Sequence, residues 1–249
     1  MKILLVGAGN MGGAMIEGLR GYELSVVERH APRAEELRRS YPDIELLTDI
    51  PEVNGYVLIL AVKPQSLDSL KIEGEAQALI SILAGTPLAR LKEKVSAKAY
   101  IRAMPNIAAL KRKSVTSVTG DESFKKEALE ILSSIGEAIW LDSEKQLDIA
   151  TGLGGSAPAW MALVAEALAD GAVDLGLPRA VSYRYIPALL EGVAALLEDE
   201  HPALLKDRVM SPGGTTAAGY GALEKAGVRD AFMEAMRASY RRSEELSGN

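Results

Sequence analysis

Six residues near the start of the chain, Gly7-Ala8-Gly9-Asn10-Met11-Gly12, have the spacing G-x-G-x-x-G. In that spacing the first glycine permits a tight turn, the second lets the backbone approach a pyrophosphate, and the third lets a helix pack closely on a strand. The motif follows the apolar run Ile3–Val6 and opens a helix-like stretch, Asn10–Arg20, which is the context it requires. The helix start then presents unbonded amides and a positive dipole end to the phosphates. A dinucleotide site is therefore expected at Gly7, Gly9, Asn10, Met11 and Gly12. Glu28 ends the second expected strand, where an acidic side chain accepts hydrogen bonds from a ribose diol and suits NAD. Arg29, His30 and Arg33 follow it and suit the additional phosphate of NADP.

A second cluster, Ser211-Pro212-Gly213-Gly214-Thr215-Thr216, precedes another helix-like stretch. Consecutive glycines at a helix start turn several backbone N–H groups toward one point and form an anion nest without any cation. Hydroxyls from Ser211, Thr215 and Thr216 add to it, and a substrate carboxylate fits. Gly155-Ser156-Ala157-Pro158-Ala159 opens a long apolar helix, with Ser156 expected as its N-cap and Pro158 in its first turn. Glu166 and Asp170, four apart on that helix, are expected to bond a neighbouring loop.

Other chemistries are poorly supplied. The 249 residues include no cysteine and two histidines, His30 and His201, so no metal site is expected. The net charge of −6 disfavours nucleic acid as a partner. No run approaches the roughly 18 apolar residues of a membrane span. The apolar stretch Ile3–Ala8 is short and runs straight into the glycine loop, so the chain is expected in the cytoplasm.

The elements that must hold these residues alternate in the first half. Ile3–Val6, Leu24–Val27, Ile44–Leu46, Tyr56–Val62, Leu79–Leu83 and Ala99–Ala103 read as strands, with helices at Asn10–Arg20 and Pro32–Tyr41. Ser114–Thr119 and Ala138–Leu141 extend the sheet. Such alternation implies a parallel sheet of βαβ units. After about residue 142 only helices are expected: Pro158–Leu175, Ala180–Glu198 with Pro187 kinking or splitting it, one from Gly213 onward, and Val228–Leu246. The fold class is α/β, a Rossmann-type domain over residues 1–144 followed by an all-helical domain over 145–249. Runs such as Met161–Ala165 and Ala188–Leu190 leave that second domain little polar face, and a second subunit is expected to cover it.

At these residues the chain resembles the pyrroline-5-carboxylate reductases. The matching pieces are Val6–Gly12, Ala61-Val62-Lys63-Pro64-Gln65, Ser81–Gly85, Met104-Pro105-Asn106, Gly155–Ala159 and, most specifically, Asp207–Gly219 with Leu223-Glu224. The resemblance implies NAD(P)H-dependent reduction of Δ1-pyrroline-5-carboxylate to L-proline, the last step of proline biosynthesis, in a homodimer or larger ring of dimers. NADP(H) is the cofactor it favours, with NAD(H) the alternative that Glu28 raises against Arg29. It places the pyrophosphate at Gly9-Asn10-Met11, the nicotinamide ribose along Ala61, Val62 and Lys63, and the nicotinamide near Met104, Pro105 and Asn106. The substrate carboxylate falls to Ser211, Gly213, Gly214 and Thr215, and Thr216 meets the ring nitrogen as the catalytic residue. Ala157 and Trp160 depart from the family's usual glycine and tyrosine. A β-hydroxyacid dehydrogenase is disfavoured, because no lysine stands between Lys145 and Lys206. A reductase of a different imine and a non-catalytic dinucleotide sensor are the alternatives.

Overall fold

The computed structural model describes residues 1–247. Its first part is an eight-stranded sheet: β1 (Lys2–Val6), β2 (Glu23–Val27), β3 (Glu45–Leu47), β4 (Tyr56–Leu60), β5 (Ala78–Ser81), β6 (Tyr100–Met104), β7 (Ser114–Gly120) and β8 (Gly136–Trp140). Helices α1 (Asn10–Leu19), α2 (Ala31–Ser40), α3 (Leu88–Lys94) and α4 (Lys125–Ser133) lie between strands. The strand order is β3-β2-β1-β4-β5-β6-β7-β8. β1 to β6 pair in parallel, so the order reverses between β1 and β4, and ligands bind at such a switch point.

The central strands β1, β4 and β5 are largely apolar because both faces are covered. Along β1, Ile3 and Leu5 pack with Met15, Ile16 and Leu19 of α1 on one side of the sheet, and Leu4 and Val6 pack with Leu67 and Leu91 on the other. Each such fully buried side chain contributes roughly 1.5–3 kcal/mol. The expectation of an all-parallel sheet fails at one place. β7 runs antiparallel to β6, and β8 is parallel to β7. The β6–β7 connection, residues 105–113, holds only a 3₁₀ turn at Ile107–Lys111, too little chain for a crossover.

The remaining helices are α5 (Glu144–Ala150), α6 (Ala157–Asp174), α7 (Arg179–Asp199), α8 (Pro202–Val209), α9 (Thr215–Lys225) and α10 (Val228–Ser247). Residues 1–156 form one compact unit together with the end of α10 from Ala238, and Ala157–Arg237 form a second. The division at 144/145 drawn from the sequence thus lies ahead of the break between compact units, because α5 packs with the sheet. α7 runs through Pro187 as one helix instead of splitting, and α8 occupies a stretch for which no element was expected. Asp170 bonds Arg179 at 2.7 Å, at the start of α7 just past the loop that follows α6.

By length and composition one described helix, α7, with a mean hydropathy of 1.2 over 18 residues, suffices to cross a bilayer. It carries Arg184 and Glu191 along its length. Exposed apolar side chains stand on both α7 and α6, Leu189 at 49% and Leu163 at 64%, and Leu175, just past α6, is 89% exposed.

Candidate functional site

The glycine loop has the geometry its spacing demands. Gly7 adopts φ +95°, which L side chains rarely reach, and a Cβ there would stand 2.9 Å from the Ala61 carbonyl oxygen. Its N–H donates to the Val27 carbonyl at 2.9 Å. At Gly12 a Cβ would fall 2.0 Å from the Gly7 oxygen, so only glycine lets α1 approach β1 this closely. Gly9 is the N-cap of α1, faces open space, and leaves the helix start without a side-chain cap or an acidic first turn. Asn10 is exposed and Met11 half-buried beside it. These residues fit a dinucleotide pyrophosphate: open amides at a positive helix end.

At the end of β2 the Glu28 carboxylate accepts from the Ala8 N–H at 3.1 Å and the His30 N–H at 2.8 Å. Sequence reasoning gave Arg33 to a phosphate. Its Nε instead donates to the Ala8 carbonyl at 2.9 Å, and Nη1 pairs with Glu36 at 2.6 Å. Glu28 and Arg29 line a cavity of about 190 Å³ with Gly7, Val62 and Ser66. Ala61 backs Gly7, and Lys63, exposed, precedes a 3₁₀ turn at Pro64–Ser69.

The segment after β6 is fixed by Asn106. Its Nδ2 donates to the Gly154 carbonyl at 2.8 Å, its Oδ1 accepts from the Ala108 N–H at 3.0 Å, and its own N–H donates to Ser114 Oγ at 3.0 Å. Pro105 is buried. Met104 instead faces a cavity of about 200 Å³ shared with Gly85, Thr151, Ser156, Ser239 and Leu246. Gly154 lies in a π-helical turn, Thr151–Ser156, that joins α5 to α6 without a break. Ser156 is therefore no N-cap. It lies inside a continuous helix, and its hydroxyl meets Ser239 Oγ at 3.2 Å.

One cluster at this edge has no counterpart in the sequence reading. Arg102, with 5% of its side chain exposed, bonds Glu144 at 2.7 Å and Asp148 at 3.1 Å. It ties β6, which carries Met104, to α5, which leads into the π turn. An arginine inside an otherwise apolar strand was its one sequence signal, because a buried guanidinium must find carboxylates.

The second glycine cluster lies in the other unit. Gly213 adopts φ +71°. Gly214 is the N-cap of α9, no side chain caps that helix, and its first turn holds no acid. The Gly214 N–H donates to the Ser211 carbonyl at 3.0 Å. A Cβ on Gly214 would stand 2.4 Å from Ser211 Oγ, so glycine there is what lets the serine hydroxyl lie over the helix start. Thr215 and Thr216 are exposed in the first turn. Further along α9, hydrogen bonding from Arg229, with Tyr220 adding to it, holds the Glu224 carboxyl below the usual range. Ala226 and Gly227, the latter at φ +73°, make the short turn from α9 into α10, whose second residue is Arg229. Among the described residues no group of three His, Asp or Glu side chains is placed to hold a metal.

The chain is similar to known proteins over nearly its whole length. The family described as pyrroline-5-carboxylate reductase dimerisation matches residues 144–246, and that described as NADP oxidoreductase, coenzyme F420-dependent, matches residues 2–85. A pyrroline-5-carboxylate reductase of Synechocystis sp. is 40% identical, over 99% of this chain and 98% of its own. This chain belongs to the pyrroline-5-carboxylate reductase family. Two solved reductases of the family superpose over nearly its whole length. That of Coxiella burnetii has a TM-score of 0.86 at 28% identity, covering 98% of each chain. That of Plasmodium falciparum, with NADP bound, has a TM-score of 0.81 at 26% identity, covering 99% of this chain and 100% of its own. The helical half is thus the family's dimerisation region.

Proposed function

We propose that this chain reduces Δ1-pyrroline-5-carboxylate to L-proline with a reduced nicotinamide dinucleotide. The observation that carries this reading is the start of α9, which no side chain caps, whose first turn holds no acid, and beside which the Ser211 hydroxyl lies. A dinucleotide-binding protein needs no second anion site of this kind unless its substrate carries an acid group.

When bound, the reduced nicotinamide supplies hydride to the imine carbon, which must be held within about 3–3.5 Å. The chain's own residues bind and orient. Gly9, Asn10 and Met11 hold the pyrophosphate through backbone amides, while Gly7 makes the turn and Gly12 the close packing that place them. Glu28 and Arg29 face the adenosine ribose, Ala61, Val62 and Lys63 the nicotinamide ribose, and Met104, Pro105 and Asn106 the nicotinamide. Ser211, Gly213, Gly214 and Thr215 grip the carboxylate, and Thr216 Oγ1 accepts a hydrogen bond from the protonated ring nitrogen. A protonated imine is already electrophilic, so orientation matters more than a strong acid. That agrees with a helical region whose one histidine, His201, caps α8 by accepting from the Ala203 N–H. Residues 1–144 serve the cofactor, and 145–249 serve the substrate and assembly into a dimer or ring of dimers.

The test is consumption of reduced nicotinamide dinucleotide by the purified protein with and without pyrroline-5-carboxylate. Substrate-dependent consumption is expected, and Thr216→Ala should raise the barrier by about 1–3 kcal/mol, the worth of one hydrogen bond to a charged group. Background consumption with both NADH and NADPH refutes the reading.

A further inference from the structure

Glu28 is held more firmly than a ribose contact requires. Both carboxylate oxygens are engaged, Oε2 by the Ala8 N–H at 3.1 Å and Oε1 by the His30 N–H at 2.8 Å. One amide belongs to the glycine loop and the other to the residue before α2. A single anion therefore sits in a two-amide nest at the carboxyl end of β2. Amides converging at such a point are suited to an additional phosphate, and here a side chain of the protein already occupies them. The neighbouring cation Arg33 directs its hydrogen bonds to other partners. Its Nε is committed to the Ala8 carbonyl and Nη1 to Glu36, and Nη2 lies over Gly13, where a Cβ would come within 2.3 Å of it.

We infer that this site selects NADH over NADPH, with Glu28 as the residue that determines the choice. The inference rests on reading the glycine loop as the dinucleotide site. An ionised carboxylate has about four lone-pair directions. The amides use two, and two remain for the 2′ and 3′ hydroxyls of a ribose, each of which donates. A 2′-phosphate offers acceptors and close to two negative charges. It would meet the Glu28 charge with both amides taken, and turning the carboxylate aside breaks two charge-assisted hydrogen bonds. Arg29 is exposed on the rim of the same cavity, where solvent screens its attraction for phosphate. The geometry thus sets Glu28 above the basic run that follows it, although the family resemblance favours NADP(H).

The experiment titrates NADH and NADPH by nicotinamide fluorescence without substrate, alongside kcat/KM for each. Wild type is expected to bind NADH at least tenfold more tightly. Glu28→Ser, which frees the Ala8 and His30 amides, should bind NADPH at least as tightly as NADH. Glu28→Gln keeps the side-chain length, removes the charge, and should narrow the ratio through tighter NADPH binding. Equal or tighter binding of NADPH by wild type overturns the inference and needs no variant. An unchanged ratio in a folded Glu28→Ser or Glu28→Gln protein also overturns it. A protein that selects NADH but does not turn over pyrroline-5-carboxylate contradicts the proposed reaction and leaves the inference standing. Turnover with NADPH preferred does the reverse.

Discussion

At Gly214 a single hydrogen atom stands where a methyl group would press on the Ser211 hydroxyl. With a Cβ, position 214 would collide with Ser211 Oγ at 2.4 Å, and the serine would have to leave the helix start it now covers. The substitution Gly214→Ala should raise KM for pyrroline-5-carboxylate tenfold or more. NADH binding should be unchanged, since no contact of the cofactor loop is altered. As an N-cap, alanine costs on the order of 1 kcal/mol against a preferred cap and less against glycine, so the melting temperature should move only slightly. Steady-state kinetics with both substrates varied separates these outcomes, and an unchanged KM contradicts the nest. Residue types at this scale were readable from the sequence, because glycine spacing and an acid at a strand end have few physical uses. Their partners were not. The Ala8 and His30 amides on Glu28, the Arg33 bond to Ala8 and the Arg102–Glu144–Asp148 cluster each join residues distant in sequence or depend on a local backbone path.

Strands and helices were legible where burial enforces a pattern. β1, β2 and β4 to β6 are covered on both faces and read as short apolar runs close to their observed bounds. The reversed β7 was legible only in the brevity of residues 105–113. The continuous path from α5 through the π turn into α6 was hidden by Gly152, Gly154 and Gly155, which look like a loop. Asn106 binding the Gly154 carbonyl, a contact across 48 positions of sequence, helps hold that turn. The faces of α6 and α7 carry a prediction of their own. Leu163 and Leu189 stand exposed at 64% and 49%, and apolar surface of this kind marks an interface. Light scattering near micromolar concentration should report at least a dimer, and Leu189→Glu should shift the population toward monomer by placing a charge where an apolar neighbour is expected. A wild-type monomer at that concentration contradicts the assembly.

The whole chain is built of two compact units. One carries the open glycine loop at the switch point of a twisted sheet, and the other carries the uncapped start of α9. The change of texture near residue 142 was visible in the sequence as the end of strand-like runs. The grouping of α10 from Ala238 onward with the first unit was not, because it depends on a long-range approach in which a Cβ at Gly85 would come within 2.8 Å of the Leu246 Cβ. The account as a whole stands on the α9 start holding the acid group of the reacting ring. A crystal structure of the protein grown with L-proline tests this most directly. It should place the proline carboxylate against the amides of Thr215 and Thr216 beside the Ser211 hydroxyl, with the ring nitrogen at Thr216 Oγ1. Proline bound elsewhere, with that turn empty, contradicts the account.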